Sequence, residues 1–199
     1  MSWEIMMTMS MIMIMLMVVR QLGIIFKRAL LQVFEILGGC PDGWTSVAGA
    51  CYQFLPEKLS WDDAKAACED LPGWMAEIGN EEQNDALHDE AVKQKIKTAW
   101  IGLSDTAEEA NWVWNSGEKA SFTNWNSASP SNSKHTDKDG ENCAVLATSL
   151  ATPEGKKPKA WLIPKTWNDE SCKTKMPVIC QQKISLTKEA MKALCDAKK

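Results

Sequence analysis

Histidine is scarce: the 199-residue chain has two, His88 and His135. No C-x-x-C pair occurs among its cysteines. These gaps remove the usual basis of a zinc site, which needs closely spaced thiolates and imidazoles. No motif places a Ser/His/Asp or Cys/His pairing, so an enzymatic reading has little support. His88 reads as a helix-surface residue and His135 as a loop residue. No N-x-S/T sequon is present, so N-glycosylation is not expected. Basic charge is not in surplus either. With 22 Lys and Arg against 26 Asp and Glu the net charge is −4, and removing residues 1–39, with three basic and two acidic residues, leaves −5. That excludes a general nucleic-acid binder. Internal repeats are absent.

What the chain does have is cysteine: Cys40, Cys51, Cys68, Cys143, Cys172, Cys180 and Cys195. Seven without metal-type spacing points to disulfides and an oxidising compartment. The number is odd, so at least one thiol is free or pairs with another chain.

Residues 5–19 form one apolar run of fifteen residues, short for a membrane span and suited to a signal-peptide core. The flank before it carries Glu4 and no Lys or Arg, and no clean small-x-small cleavage site follows. Arg20, Lys27 and Arg28 lie on its C-terminal side; in an anchor they would favour a cytosolic C-terminus, against the cysteines. Cleaved secretion, an N-terminal anchor with the rest outside, and a mis-assigned start are the three readings. Residues 21–37 could extend a helix, with Leu30, Leu31, Phe34 and Leu37 on one face.

From Cys40 the texture changes. Cys40-Pro-Asp-Gly-Trp44 and Ala50-Cys51-Tyr-Gln-Phe54 flank a Ser-Val-Ala-Gly turn and read as a hairpin. Ser60 caps a helix starting at Trp61, with Asp62 and Asp63 in its first turn and Pro72-Gly73 at its end. Trp61, Ala64, Ala67 and Cys68 fall on one face. Asn80 caps a second helix, Glu81 to about Lys93, with Ala86, Leu87 and Val92 the apolar candidates for burial. Thr98–Asp105 reads as a buried strand leading into a turn. Trp112–Trp114 and Phe122–Trp125 read as two short aromatic strands, their tryptophans core residues rather than a ligand platform. Residues 126–140 are rich in Ser, Asn and Asp around Pro130 and read as a long irregular loop. Strand returns at Glu141–Leu146, a second long loop spans Ala147–Lys165, and Met176–Cys180 is the final strand. Residues 183–199 read as a tail helix with Met191, Leu194 and Cys195 on one face.

Trp167-Asn-Asp-Glu-Ser-Cys172 gathers an amide, two carboxylates and a cysteine into six residues, with oxygens of the kind Ca²⁺ takes. Together with Trp100-Ile-Gly-Leu103 and the order of the cysteines, it resembles the C-type lectin-like domain in its long form, over about Cys40–Gln182. The resemblance implies an α+β fold: two helices flanking small antiparallel sheets, with a long-loop region. With the readings of the two ends, the chain divides into three segments: 1–39 as signal or hydrophobic segment, 40–182 as the lectin-like domain, 183–199 as the tail. The resemblance also implies the bridges Cys40–Cys51, Cys68–Cys180 and Cys143–Cys172, leaving Cys195 over.

In sugar-binding members an E-P-N or Q-P-D triplet around a cis proline, a glutamate before the third framework cysteine and the W-N-D pair hold a Ca²⁺ ion that meets two sugar hydroxyls. The positions matching here are Ser129-Pro130-Ser131, Glu141, Asn168 and Asp169. Pro130 could keep the cis bond. Both flanking ligands are serine, which removes one carboxylate and one amide carbonyl, so the triplet leaves calcium dependence open. Asp137 or Asp139 could fold back to substitute. A second calcium site would map onto Asp105 and Glu109 with Glu141 shared; the alternative is two solvated loop acids. Pro153–Lys165 carries four lysines against one acid, either a contact for anionic glycans or a soluble loop.

The expectation is therefore a secreted, non-enzymatic lectin that binds glycans or glycoconjugates, microbial ones among them. The alternative is a calcium-independent module of the same fold that binds protein, lipid or a mineral surface. A disulfide-linked homodimer through Cys195 is expected.

Overall fold

The computed structural model describes residues 38–135, 137–148 and 163–186. The apolar run at 5–19, the helix read over 21–37, most of the lysine-rich segment and Cys195 lie outside the described residues. The described strands are β1 (Gly38–Gly39), β2 (Thr45–Val47), β3 (Ala50–Leu59), β4 (Trp74–Met75), β5 (Thr98–Ser104), β6 (Val113–Trp114), β7 (Cys143–Ala147), β8 (Trp167–Glu170), β9 (Met176–Gln182) and β10 (Ser185–Leu186). The described helices are α1 (Trp61–Asp70) and α2 (Glu81–Lys93). Cys40–Ile184 forms one compact unit; β1 and β10 fall outside it and pair with each other, Gly38 opposite Leu186 and Gly39 opposite Ser185. Ser185–Leu186, expected to open the tail helix, is thus a strand whose backbone is taken by a ladder.

Both helices start where their caps predict. Ser60 Oγ accepts the N–H of Asp63 at 3.3 Å, and Asn80 Oδ1 that of Gln83 at 2.8 Å. Asp62 and Asp63 sit at the positive end of the α1 dipole. Helix α1 stops before Leu71, which is extended, as the residue preceding a proline tends to be. It buries Trp61, Ala64 and Cys68. Helix α2 departs from its expected face. Leu87 is buried as expected, but Val92 is 47% exposed, while Asn84, His88 and Ala91 are buried. His88, expected on the surface, is turned inward because its Nε2 reaches the carbonyl of Thr148 at 3.1 Å.

Within the compact unit the strands join into one eight-stranded sheet, β2-β3-β9-β5-β7-β8, with β4 on β9 and β6 on β5. All pairings are antiparallel except β5 with β9, which meet at Trp100 and Val178. Side chains alternate between the two faces, as strand geometry requires. Trp100, Val145, Val178 and the Cys68–Cys180 bridge pack with Trp61 on one side. Ile101, Leu103, Leu146, Trp167 and Ile179 pack with Leu87 on the other. Gly102 is needed where β5 crosses β4, since a Cβ there would lie 3.0 Å from the carbonyl oxygen of Met75. Phe122–Trp125, expected as a strand, is irregular; only Trp125 bridges to Trp167, and its ring stacks edge-on against Trp112 at 4.6 Å. The three expected disulfides are present, Cys40–Cys51, Cys68–Cys180 and Cys143–Cys172, with Cα separations of 5.4, 5.4 and 5.2 Å.

Candidate functional site

Strand β8 is the base of the site. Trp167 is fully buried, and its indole N–H donates to Asn84 Oδ1 at 2.7 Å. The rings of Trp114, Phe122 and Trp125 meet it edge-on at 5.6–5.8 Å. The backbone of Trp167 clamps the start of the long loop: its N–H donates to Asn124 O at 2.7 Å, and its carbonyl accepts the N–H of Asn126 at 3.0 Å. Asn168 and Asp169, opposite Val145 and Ala144 of β7, are thereby held in a fixed register.

The loop returns over these two residues through a cis peptide between Ser129 and Pro130. Ser129 Oγ donates to Asn168 Oδ1 at 2.6 Å, and Asn126 Nδ2 donates to the same oxygen at 3.2 Å. The amide nitrogen of Asn168 donates to the carbonyl of Asp169. The N–H groups of Ser131 and Asn132 both donate to Asp169 Oδ2 at 2.6 Å. Glu141 Oε2 accepts from Ser131 Oγ at 3.0 Å and from the N–H of Ser133 at 3.1 Å. Ala128, Ser129, Ser131, Ser133, Glu141 and Asn168 line a cavity of about 240 Å³. The residues read from the triplet, the glutamate and the W-N-D pair therefore do come together.

Beside them lies a second acidic group. The N–H of Asp105 donates to Asn142 O at 3.1 Å, and Asp105 Oδ2 accepts from Ala110 N at 2.9 Å. Asn132 links the two groups, since its Nδ2 donates to Glu109 Oε2 at 2.5 Å. Burial pushes the Asp105 carboxyl above its ordinary range; the Ala110 hydrogen bond opposes this, and the charges of Glu109 and Asp169 add to it. Glu141 is likewise raised, first by burial, against the hydrogen bonds from Ser131 and Ser133, with Asp169 and Glu170 adding repulsion.

The long loop is tied down at its far end as well. Asp137 accepts from Ser171 Oγ at 2.8 Å, from the N–H of Asp139 at 3.1 Å and from Lys173 Nζ at 3.1 Å. The Asp139 amide, then Lys173 and Ser171, hold its carboxyl down at about 2. Asp137 and Asp139 face Lys173 and do not fold back to replace the missing triplet ligands. Lys165, counted with the basic segment, pairs with Asp85 at 2.8 Å.

The oxygens test what calcium could use. At the triplet, Asn168 Oδ1, Asp169 Oδ2 and Glu141 Oε2 are each met by two protein donors. Those three oxygens are thus engaged by the protein's own donors. On the other side, Asp105 Oδ1, Asn142 Oδ1 and Asp169 Oδ1 are buried without a hydrogen-bond partner among the described residues. An unmet buried acceptor is costly, and hard carboxylate and amide oxygens are what Ca²⁺ takes. Among the described residues no three His, Cys, Asp or Glu side chains form a metal-holding group, so any such shell draws on amide and carbonyl oxygens too. Sequence reasoning missed Asn126, Asn132, Ser133, Asn142 and Lys173. The one signal was the density of asparagine and serine between Asn126 and Asn142.

The lectin C-type domain family model matches residues 57–182. The chain belongs to the C-type lectin domain family. C-type lectin lectoxin-Enh5 of Pseudoferania polylepis is 30% identical over 169 residues, covering 80% of this chain and 97% of that protein. C-type mannose receptor 2 of Homo sapiens is 28% identical over 151 residues; the match takes in 76% of this chain but only 9% of the receptor. Among solved structures, the carbohydrate-recognition domain of the mouse scavenger receptor C-type lectin is 28% identical with a TM-score of 0.62, covering 74% of this chain and all of that one. A calcium-independent type II antifreeze protein shares the fold at 22% identity and a TM-score of 0.55, over 74% of this chain and 97% of that one. No helix among the described residues is long and apolar enough to cross a membrane.

Proposed function

We propose that this C-type lectin domain binds glycans through the serine-lined cavity, by direct hydrogen bonds rather than through a bridging cation. The cavity at the cis Ser129–Pro130 turn carries the reading. Ser131 Oγ keeps unused lone pairs, and Glu141 Oε1 has no partner among the described residues, so both can accept from sugar hydroxyls. The proposed residues are Ser129, Pro130, Ser131, Glu141, Asn168 and Asp169, joined by Ser133. Calcium has a supporting role in this reading. Asp105, Glu109, Asn142 and Asp169 would hold it beside the loop, where it would neutralise clustered carboxylates. The module is a binding protein, not an enzyme, and it works outside the cell, secreted or tethered by its N-terminal segment. The disulfides support that compartment.

A glycan array that includes microbial polysaccharides tests the reading. Wild type gives a defined set of signals that persists in chelator, and Ser131→Ala with Asn168→Ala removes it. An array blank under all conditions would sink it. It would leave the calcium-independent protein-, lipid- or mineral-binding module, which the internally satisfied triplet favours. Pairing of two chains through Cys195 would add avidity to a weak site. On a non-reducing gel wild type then runs as a dimer and Cys195→Ser as a monomer; a monomeric wild type removes the pairing.

A further inference from the structure

We infer that Lys173 is a positioning residue for the candidate glycan site: its ammonium latches the long loop to the turn that the Cys143–Cys172 bridge fixes. The consequence for binding rests on the proposed function; the latch itself does not.

The loop between Pro130 and Glu141 carries three cavity residues, Ser131, Ser133 and Glu141. Its two arms close at a neck. Asn132, with φ of 44°, accepts the N–H of Glu141 on Oδ1 at 3.1 Å. Gly140 sits against it with φ of 89°, and a Cβ there would lie 1.8 Å from Asn132 Oδ1. Beyond the neck the chain turns at Asp137, whose carbonyl accepts the N–H of Gly140 at 3.0 Å. This outer turn meets the rest of the domain at Ser171 and Lys173. Lys173 Nζ lies 3.0 Å from Asp137 Oδ2 and 2.7 Å from Asp139 Oδ2, while Ser171 Oγ donates to Asp137 Oδ2 at 2.8 Å. Ser171 and Lys173 flank Cys172, whose bridge leads to Cys143, two residues after Glu141. The latch therefore joins the outer turn to the same covalent frame that holds the inner end of the loop.

A lone exposed ion pair is weak. This one is a network: one ammonium shared by two carboxylates, one of them with a side chain only 10% exposed and also held by a hydroxyl and a backbone amide. Remove the ammonium, and Asp137 and Asp139 lose their shared counter-charge and repel each other. The latch gives the loop its cation from the protein itself, so Ser131, Ser133 and Glu141 stay placed without a metal at the triplet.

Hydrogen exchange read by mass spectrometry on the full chain tests this, using Lys173→Met and Lys173→Arg. In Lys173→Met the amides of residues 137–141 exchange about three- to fivefold faster than in wild type, the factor expected for losing a modest ion pair, with the core strands unchanged. Lys173→Arg restores slow exchange, and added salt speeds exchange in wild type but not in Lys173→Met. Glycan affinity falls in Lys173→Met and recovers in Lys173→Arg. Unchanged exchange in Lys173→Met overturns the latch whatever the protein binds. Faster exchange in a protein that binds no glycan supports the latch and removes the glycan reading instead.

Discussion

Asp105 shows how one side chain separates two roles for calcium. Its Oδ1 is buried without a partner among the described residues, and its neighbours Asn142 and Asp169 each present another such oxygen. A ligand bound only by the native state raises apparent stability with its concentration. Calcium should therefore raise the melting temperature of wild type, and Asp105→Asn should abolish that rise, as followed by scanning calorimetry. A melting temperature indifferent to calcium in wild type would mean these oxygens hold no ion. At this scale the sequence was readable wherever the residue type was diagnostic: Glu141, Asn168 and Asp169 converge as read. It was silent on Asn126, Asn132 and Asn142. Asparagine caps turns and serves loops of every kind, so nothing in its identity tells that its amide meets Asn168, Glu109 or a cation. His88 misled for the opposite reason. It read as a helix-surface residue, whereas the carbonyl of Thr148, just after β7, decides its place.

At the scale of elements, the long loop is the part whose behaviour should follow pH. The Asp137 carboxyl is held at about 2, below its ordinary 3.8. A carboxylate depressed in the folded state contributes stability above its ordinary value and loses it as pH falls through the folded one. The outer turn should stay protected from hydrogen exchange from neutral pH down to about 4 and lose that protection between about 4 and 2. Loss beginning well above pH 4 would show that Asp137 is not the anchor. The helices and β5, β7 and β9 were legible because caps and short apolar runs are local signals, β5 and β7 being buried almost throughout. The faces of α2 were less so. Val92 lies on the apolar side by pattern, yet Asn84 takes a buried place because Trp167 and the carbonyl of Lys165 both need its amide. Phe122–Trp125 has strand-like composition, but its aromatic rings are used to box Trp167 and its backbone bridges only once.

For the whole molecule, the sheet and bridges make a frame on which a polar loop can be held. Cys143–Cys172 closes 29 residues and ties the start of β7 to the turn after β8. Replacing both cysteines by serine should cost about 3–4 kcal/mol in chemical denaturation, the chain-entropy value for such a loop. It should also weaken glycan binding more than that stability loss alone would, since Glu141 and Lys173 both flank the bridge. Family membership was legible in Trp100–Leu103, Trp167–Cys172 and the order of the cysteines, and the disulfide scheme came with that resemblance. The chemistry at the triplet was not, because Ser129 and Ser131 change the side chains there without changing the frame. For the proposed glycan site the central question is whether a sugar would meet protein or metal. Isothermal titration of a glycan identified on the array, in calcium and again in chelator, answers it most directly. Binding should persist in chelator with an affinity close to that in calcium. Complete loss in chelator, restored by adding calcium back and persisting in Asp105→Asn, would contradict direct hydrogen bonding and favour a cation between Ser129, Ser131 and the sugar.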